Sequence, residues 1–422
     1  MRIAYLTSDF GIPVHGNKGA AIHVRELSLA LQAQGHEVEI ITPRGGGDAP
    51  EGFDIPVHEF KLEQQDALLV GALREDPDAG EAQAKDLKAM LYSATLRHRL
   101  RPFLERFRPE AIYERYSLLG TAGIDIAREL AIPHILEVNA PLSEEAAAHR
   151  SVGFAQTVRA VEQRVLSSAG QVISVSRPLK EWIVTAGADP ERVTVVPNGV
   201  NIDRFASTTF DARERLGIGN RPVVGFVGTL KAWHGTTTLI EAVARLARER
   251  GLERAPHLLI VGDGPERERL EELAASEGIS SITTFTGMVA HDEMPGWISA
   301  MDVAVAPYED KPGFYFSPLK IYEYMAAGRA IVAASIGQIR ETIHDGENGL
   351  LYPAGDVPAL AARIARVLDT PDLAAALGKA SRASAVVNHS WDRNATVVAA
   401  LVEREQVRRI RASGTAMKTE GR

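Results

Sequence analysis

Arg2-Ile3-Ala4-Tyr5-Leu6-Thr7 opens the chain as an apolar run, a glycine-bearing loop spans 11–19, and Val24, Leu27 and Leu31 then recur at helical spacing. Gly35-His36 ends that pattern, and Glu37-Val38-Glu39-Ile40-Ile41-Thr42 forms a second apolar run. A strand, a helix and a second strand in this order form a unit whose strands lie parallel, and parallel sheets are covered by helices on both faces. This reading decides the fold class: α/β, built from repeated β-α-β units.

Working outward, further strands are expected at 111–113, 134–138, 171–175 and 193–196. Past Pro197-Asn198-Gly199, a strong turn signal that reads as a linker bend, the alternation restarts at 223–227 and continues at 257–261, 282–285, 303–306 and 330–333. Two doubly wound domains follow, 1–200 and 201–390, with the boundary near 200–220. A helix over 391–411 comes after the second sheet is complete and is expected to pack back across the first domain. The polar residues 412–422 read as a disordered tail, and 44–83, rich in Gly, Pro and acidic residues, as a long surface excursion.

Composition excludes several classes. The chain of 422 residues is 45% hydrophobic, enough to bury more than one ordinary core. With 47 basic against 55 acidic residues its net charge is near −8, which argues against nucleic acid as a partner. It has no cysteine, so disulfides, thiolate nucleophiles and cysteine zinc sites are excluded, and a reducing compartment fits. The first residues enter a strand without a signal-peptide pattern and no apolar run approaches 18 residues, so a cytoplasmic protein is expected.

The most informative chemistry lies in Phe316-Ser317-Pro318-Leu319-Lys320-Ile321-Tyr322-Glu323-Tyr324-Met325-Ala326-Ala327-Gly328, ahead of a buried strand. Helix starts of this kind border the crevice beyond the strand ends, where N–H groups and the helix dipole favour an anion. Lys320 and Glu323, three apart, lie close on the helix surface. A carboxylate suits a vicinal diol such as ribose and an ammonium suits a phosphate, so a nucleotide matches both; an i,i+3 ion pair on a solvated face is the simpler alternative.

Each domain also carries a glycine loop between its first strand and first helix, at Gly16-Asn17-Lys18-Gly19-Ala20-Ala21 and at Gly228-Thr229-Leu230-Lys231-Ala232-Trp233-His234-Gly235. Neither matches the dinucleotide fingerprint or the P-loop, which weakens oxidoreductase and NTPase readings. The turn Val261-Gly262-Asp263-Gly264-Pro265 is placed at the strand ends, with Pro265 opening the helix that follows. Asp76-Pro77-Asp78 has the form of a metal-binding D-x-D, but it lies in an acidic excursion and follows no strand, so it reads as a solvated run. No histidine cluster has metal-ligand spacing, and no metal or cofactor is expected. Leu96, Leu100, Phe103, Leu104 and Phe107 make an apolar stripe flanked by Arg97, Arg99, Arg101, Arg106 and Arg108. That element reads either as a core-docked helix with a basic outer face or as one resting on an anionic membrane surface.

Taken together, the Gly19-Ala20 loop, Gly35-His36-Glu37-Val38, Val196-Pro197-Asn198-Gly199-Val200, residues 228–235, 261–265 and 317–328, and Gly346-Glu347-Asn348-Gly349-Leu350-Leu351 resemble the retaining glycosyltransferases of family 4. The resemblance implies the GT-B fold, two Rossmann-like domains facing across a cleft, and transfer of a hexose-type sugar from a nucleoside diphosphate sugar to an acceptor hydroxyl. Such enzymes retain the anomeric configuration and need no metal. It implies that Glu323 holds the ribose, that the Gly19-Ala20 backbone approaches the diphosphate, and that Met288 and Val289 flank the base. The donor-side residues extend to Gly228, Thr229, Asp263, Tyr315, Ser317, Pro318 and Leu319, and the acceptor would be a small molecule, a lipid-linked sugar or a glycan. Peripheral contact with the inner membrane face is compatible with it.

Departures from the family pattern matter. Tyr315 stands where the usual E-x7-E motif has its first glutamate, and Thr229 and His234 stand where an arginine and a lysine usually hold the diphosphate. Lys231, His234 and Lys320 are therefore expected to share that charge. The familiar acceptor-domain histidine is not evident, and Asn139, next to Glu137 in Glu137-Val138-Asn139-Ala140-Pro141, is the candidate for its neighbourhood. A nucleotide-sugar epimerase of the same fold and a non-catalytic two-lobed sugar-binding protein remain as alternatives.

Overall fold

The computed structural model describes residues 1–149, 152–206, 210–310 and 313–419. The chain divides into two compact units, Met1–Pro197 with Trp391–Arg422, and Asn198–Ser390. The junctions fall at Pro197/Asn198 and Ser390/Trp391, the first of them within the Pro197-Asn198-Gly199 turn and a few residues before the expected interval of 200–220.

In the first unit the strands are β1 (Arg2–Thr7), β2 (Glu37–Thr42), β3 (Val57–Glu59), β4 (Ala111–Arg115), β5 (His134–Val138), β6 (Gln171–Ser174) and β7 (Val193–Val195). They lie in the order β3-β2-β1-β4-β5-β6-β7. In the second they are β8 (Val223–Val227), β9 (His257–Val261), β10 (Thr283–Phe285), β11 (Val303–Ala306), β12 (Ala330–Ala334) and β13 (Leu350–Tyr352), in the order β10-β9-β8-β11-β12-β13. Every strand pair in both sheets is parallel. Central strands are buried along their whole length, as in β8 and β12, because helices cover both faces. Each sheet therefore has one point where the strand order reverses: between β1 and β4, and between β8 and β11. Ligands of open α/β sheets bind beyond the carboxyl ends of the strands at such points, because the loops on either side diverge and leave a crevice.

The segment 44–83 is more ordered than its composition suggests. It contains β3, helix Gln64–Glu75 and the start of helix Glu81–Phe107. A three-residue edge strand carries too little alternation to be read, and Val70 is the one buried apolar residue in helix Gln64–Glu75. The D-x-D forms a local turn between these two helices, with Asp78 N–H donating to Asp76 Oδ1 at 2.9 Å. In helix Glu81–Phe107 the stripe Leu96, Leu100, Phe103, Leu104 and Phe107 is buried in the core with Ile112 and Ile126. Arg97 pairs with Glu129, Arg99 donates to the Lys61 carbonyl at 2.6 Å, and Arg101 reaches Glu105 at 3.2 Å. The stripe is thus taken up by the core and is not available to a membrane surface.

Helix Trp391–Thr419 packs on helix Gly19–Ala33 and on β5 and β6. Gln34 Nε2 donates to the Asp392 carbonyl at 2.6 Å, and the Trp391 ring meets the His23 ring edge-on at 4.7 Å. This helix continues past Ala412, where the sequence suggested a tail. No proline lies between 412 and 419 to stop it, and each added residue of a formed helix gains a hydrogen bond. Residues 420–422 of the expected tail lie outside the described residues. Among the described residues no helix is long and apolar enough to cross a membrane.

Candidate active site

In the second unit the loops after β8 and β11 and the helix Leu319–Ala326 meet at the switch point. Tyr324 is fully buried and its hydroxyl accepts from Val227 N–H at 2.8 Å, which fixes the helix against the end of β8. Ser317, just ahead of the helix, bonds to the Tyr322 hydroxyl at 3.0 Å. Asn198 holds it from the other side: its backbone N–H donates to Ser317 Oγ at 3.0 Å and its Nδ2 to the Ser317 carbonyl at 2.8 Å. The Asn198-Gly199 turn is therefore more than a linker bend, since it positions the loop that leads into Lys320 and Glu323.

Lys320 is 8% exposed and its ammonium has no hydrogen-bond partner among the described residues. It lies 4.0 Å from the ring centroid of Phe226 and 4.9 Å from that of Tyr308. Rings stabilise a cation modestly, far less than water does, so burial lowers the Lys320 pKa to about 7, against a smaller upward pull from Glu323. Burial likewise raises the Glu323 carboxyl to about 6, opposed by Lys320 and Arg204. Gly228, at φ +144°, passes so close that a Cβ there would lie 2.7 Å from the Lys320 ammonium. The ammonium thus faces bare backbone at the one residue type that leaves room beside it. A buried ammonium without a hydrogen-bonded counter-charge is costly and becomes favourable once an anion arrives.

The other donor-side residues surround this point unevenly. Gly228 N–H donates to the Val261 carbonyl at 2.9 Å and Leu230 N–H to the Asp263 carbonyl at 2.9 Å, so the loops after β8 and β9 run side by side. The Asp263 carboxylate accepts from Gly264 N–H at 2.7 Å and from Arg267 at 3.0 Å, which makes it a turn-forming group. Gly262 bridges to Gly287, bringing Met288 (77% exposed) and Val289 next to that turn. Trp233 and Phe316 stack at 4.9 Å, and Tyr315 leans on Phe316 at 4.3 Å, so an aromatic wall occupies the place of the missing glutamate.

One expectation is corrected. His234 does not share positive charge with the two lysines: its Nδ1 is bonded to the Thr229 carbonyl, and burial, then Lys320, lower its pKa to about 3. It is a neutral imidazole at physiological pH. Lys231 is exposed, with its ammonium 5.8 Å from the Trp233 ring centroid. Of the three groups, Lys320 alone is buried at the switch point and able to carry charge there.

In the first unit Gly19 and Ala20 open helix Gly19–Ala33, which lacks a side-chain cap. Arg25, buried on that helix, clamps the preceding loop through the Val14 carbonyl and, at 2.7 Å, the Gly16 carbonyl. Glu137 is also not where a ligand-binding carboxylate is expected. It is 2% exposed, paired with His23 Nε2 at 2.6 Å and with Arg115 at 3.4 Å. Burial alone would raise its pKa, but His23, Arg115 and the Asn139 amide outweigh this and hold it at about 2. Glu137 is thus an internal counter-charge, corrected by the three groups that enclose it. The partner that the sequence does not reveal is His23, four residues into the glycine-loop helix. Nothing in its local pattern indicates a partner 114 positions away, and only the fold brings the two together.

Comparison with known proteins agrees with this arrangement. Residues 17–204 match the model of Glycosyltransferase Family 4, and residues 221–370 match that of Glycosyl transferases group 1. The D-inositol 3-phosphate glycosyltransferase of Streptomyces scabiei is 31% identical, over 94% of this chain and 90% of its own. The glycogen synthase of Mycobacterium tuberculosis is 26% identical over 94% of both chains. Among solved structures, Anabaena Alr3699/HepE in complex with UDP superposes with a TM-score of 0.70 at 21% identity, covering 96% of this chain and 100% of that one. Two parallel sheets with flanking helices, each a Rossmann-like unit, define the GT-B class of sugar-transferring enzymes. The chain belongs to the family 4, group 1 glycosyltransferases.

Proposed function

We propose that the protein transfers a hexose from a nucleoside diphosphate sugar to an acceptor hydroxyl with retention of anomeric configuration and without a bound metal. The observation that carries this reading is the buried Lys320 ammonium facing the Gly228 backbone, a preformed place for a diphosphate oxygen. The Anabaena protein that shares the fold was solved with UDP, which supports a nucleotide at this site. Glu323, on the same helix, has the chemistry to accept from both ribose hydroxyls.

In the reaction the bond from the anomeric carbon to the diphosphate oxygen breaks and a bond from that carbon to the acceptor oxygen forms. The acceptor's proton passes to the departing diphosphate oxygen on the same face. Charge therefore builds on the diphosphate, and a fixed cation that is poorly solvated beforehand stabilises it without reorganisation. His234, neutral, donates to the Thr229 carbonyl and keeps the loop in register. The lack of cysteine and the nature of the donor support a cytoplasmic location.

The test is a thermal-shift panel of nucleoside diphosphate sugars, followed by acceptor screening with the best stabiliser and assignment of the product's anomeric configuration by NMR. Retention, with a turnover rate unchanged by EDTA, is expected. An inverted product, or activity abolished by EDTA and restored by a divalent cation, would overturn the proposal.

A further inference from the structure

The amino ends of the second sheet border a cavity of about 610 Å³, within the range of small-molecule sites. Pro222, Asp302 and Arg329 line it, and each immediately precedes a strand: β8, β11 and β12, which are neighbours in the sheet. Lys320 and Glu323 lie at the other ends of these strands, and a five-residue strand such as β8 spans about 16 Å. The cavity is therefore separate from the switch point.

Arg213, Asp302 and Arg329 bring charge to its lining. Arg213 is engaged: its Nη1 donates to the Gly219 and Arg221 carbonyls at 3.1 and 3.0 Å, and its Nη2 to Asp302 at 2.6 Å. Asp302 also accepts from Val223 N–H at 2.8 Å, so the one carboxylate in the lining already has its cation. Arg329 differs. Its Nε donates to the Ala327 carbonyl at 3.0 Å and its Nη1 to the Ser299 and Met301 carbonyls at 3.1 and 3.3 Å. These acceptors are neutral, and its Nη2 makes no bond among the described residues. Burial pulls the Arg329 pKa down, opposed by Asp302, but a guanidinium keeps its charge at physiological pH. A partly buried cation with free N–H groups and no carboxylate bonded to it favours an incoming anion. Val367, Leu368 and Ala374 add an apolar wall to the same cavity.

Arg329 is also tied to the donor site. Its backbone N–H donates to the Tyr324 carbonyl at 3.0 Å, and Ala327 caps the end of helix Leu319–Ala326, which carries Lys320 and Glu323. Ser299 and Met301 lead into β11, and Tyr308, just beyond that strand, has its ring 4.9 Å from the Lys320 ammonium. One guanidinium thus joins the end of the Lys320 helix to the start of the strand that delivers Tyr308.

We propose that this cavity is an effector site for a small molecule carrying a phosphate or carboxylate on an apolar, ring-sized body. The anion bonds Arg329 Nη2, the body lies on Val367, Leu368 and Ala374, and occupancy strengthens donor binding. An anion there completes the guanidinium without displacing its three carbonyl acceptors, and so fixes the two elements that position Lys320. The site stands on its own geometry, whereas its effect on the donor rests on the sugar-transfer reading above.

The experiment uses the full chain with methyl-labelled Ala, Leu and Val and titrates phenyl phosphate and phenylacetate, with benzyl alcohol as the neutral ring, by methyl NMR and calorimetry. At least one anionic probe should bind tenfold or more tighter than benzyl alcohol and shift the Val367, Leu368 and Ala374 methyls. Arg329→Gln should remove that preference. Ala374→Phe, which fills the cavity and breaks no hydrogen bond, should remove binding itself. Binding of phenyl phosphate alone would identify a phosphoester effector; binding of phenylacetate as well would identify any anion of this size. With the cavity filled, affinity for the best-stabilising nucleoside diphosphate should rise about fivefold in wild type and not in Ala374→Phe, and by linkage the nucleotide should tighten the probe by the same factor. No anionic preference, unmoved cavity methyls, or a preference that survives either variant would overturn the site. A nucleotide affinity unchanged or lowered by the bound probe would overturn the effector role. If no nucleoside diphosphate binds, the donor reading falls, and the probe titration still decides the site.

Discussion

Lys320→Met tests the donor site on two axes. With a pKa near 7 in the free protein, Lys320 is about half protonated at pH 7 and roughly 9% protonated at pH 8. If the diphosphate binds the charged form, apparent affinity scales with that fraction. Donor affinity should then fall about fivefold between pH 7 and 8 and close to tenfold for each further unit. The intact donor's diphosphate is esterified at both ends and does not titrate in this window, and Glu323, at about 6, is already ionised there. Calorimetry with the intact donor at pH 7, 8 and 9 reads the slope directly. Lys320→Met should bind more weakly at pH 7 and show no slope. The variant should also be more stable. The unfolded chain keeps the Lys320 proton up to its ordinary value and the folded chain releases it near 7, so wild-type stability rises with pH across that interval. At pH 7 and below, the folded protein carries the full penalty of roughly 5 kcal/mol, at 1.36 kcal/mol per unit, which methionine removes in part. A flat wild-type pH profile, or a variant that keeps the slope, would refute the assignment of Lys320 to the diphosphate.

Glu137→Gln should destabilise the first unit by about 3 kcal/mol at pH 7. A carboxyl held at about 2 contributes stability that is complete above its unfolded value and is lost as pH falls from there toward 2, so wild type but not the variant should show this loss in urea unfolding between pH 5 and 3. Gly235→Ala should lower the melting temperature sharply and weaken donor binding, because Gly235 sits at φ +69° with the Pro307 carbonyl where a Cβ would go; an unchanged melt would show that the loop yields. Tyr324→Phe removes the hydroxyl that accepts from Val227 N–H and should cost about 1–3 kcal/mol by leaving that buried N–H unpaired, measured by chemical denaturation. Asn198→Ala should raise the donor dissociation constant severalfold by freeing the Ser317 loop; equal affinity in both proteins would show that the loop holds without it.

The alternation of strands and helices was legible because parallel strands are apolar on both faces: β8 reads Val-Val-Gly-Phe-Val and is buried throughout. Of the four edge strands, each of three residues, β7 and β10 were anticipated, whereas β3 and β13 escaped: Val57-His58-Glu59 holds a single apolar residue, and Leu350-Leu351-Tyr352 directly follows the turn Gly346-Glu347-Asn348-Gly349. At the site, local spacing placed Lys320 and Glu323 on one short helix. It could not indicate that Phe226 and Tyr308, from two different strand ends, would close over the lysine. His234 shows the same limit, since its position was readable but its charge depends on burial and on a cation 86 residues further along. The Asn198 to Ser317 bonds span 119 residues and the His23 to Glu137 pair spans two elements of the first unit, so neither leaves a local trace.

Glu137 and Lys320 carry buried charge in opposite ways, and this separates stability from binding. In the first unit the Glu137 carboxylate is enclosed by His23, Arg115 and Asn139, and its charge is balanced inside the fold. In the second, the Lys320 ammonium is buried with ring faces and a glycine backbone beside it, and its stabilisation is incomplete until an anion is present. A complete network rigidifies the fold, and its removal is felt in unfolding. An incomplete one destabilises the free protein and returns that free energy on binding. Glu137→Gln and Lys320→Met should accordingly move melting temperature in opposite directions, with donor affinity altered only by the second.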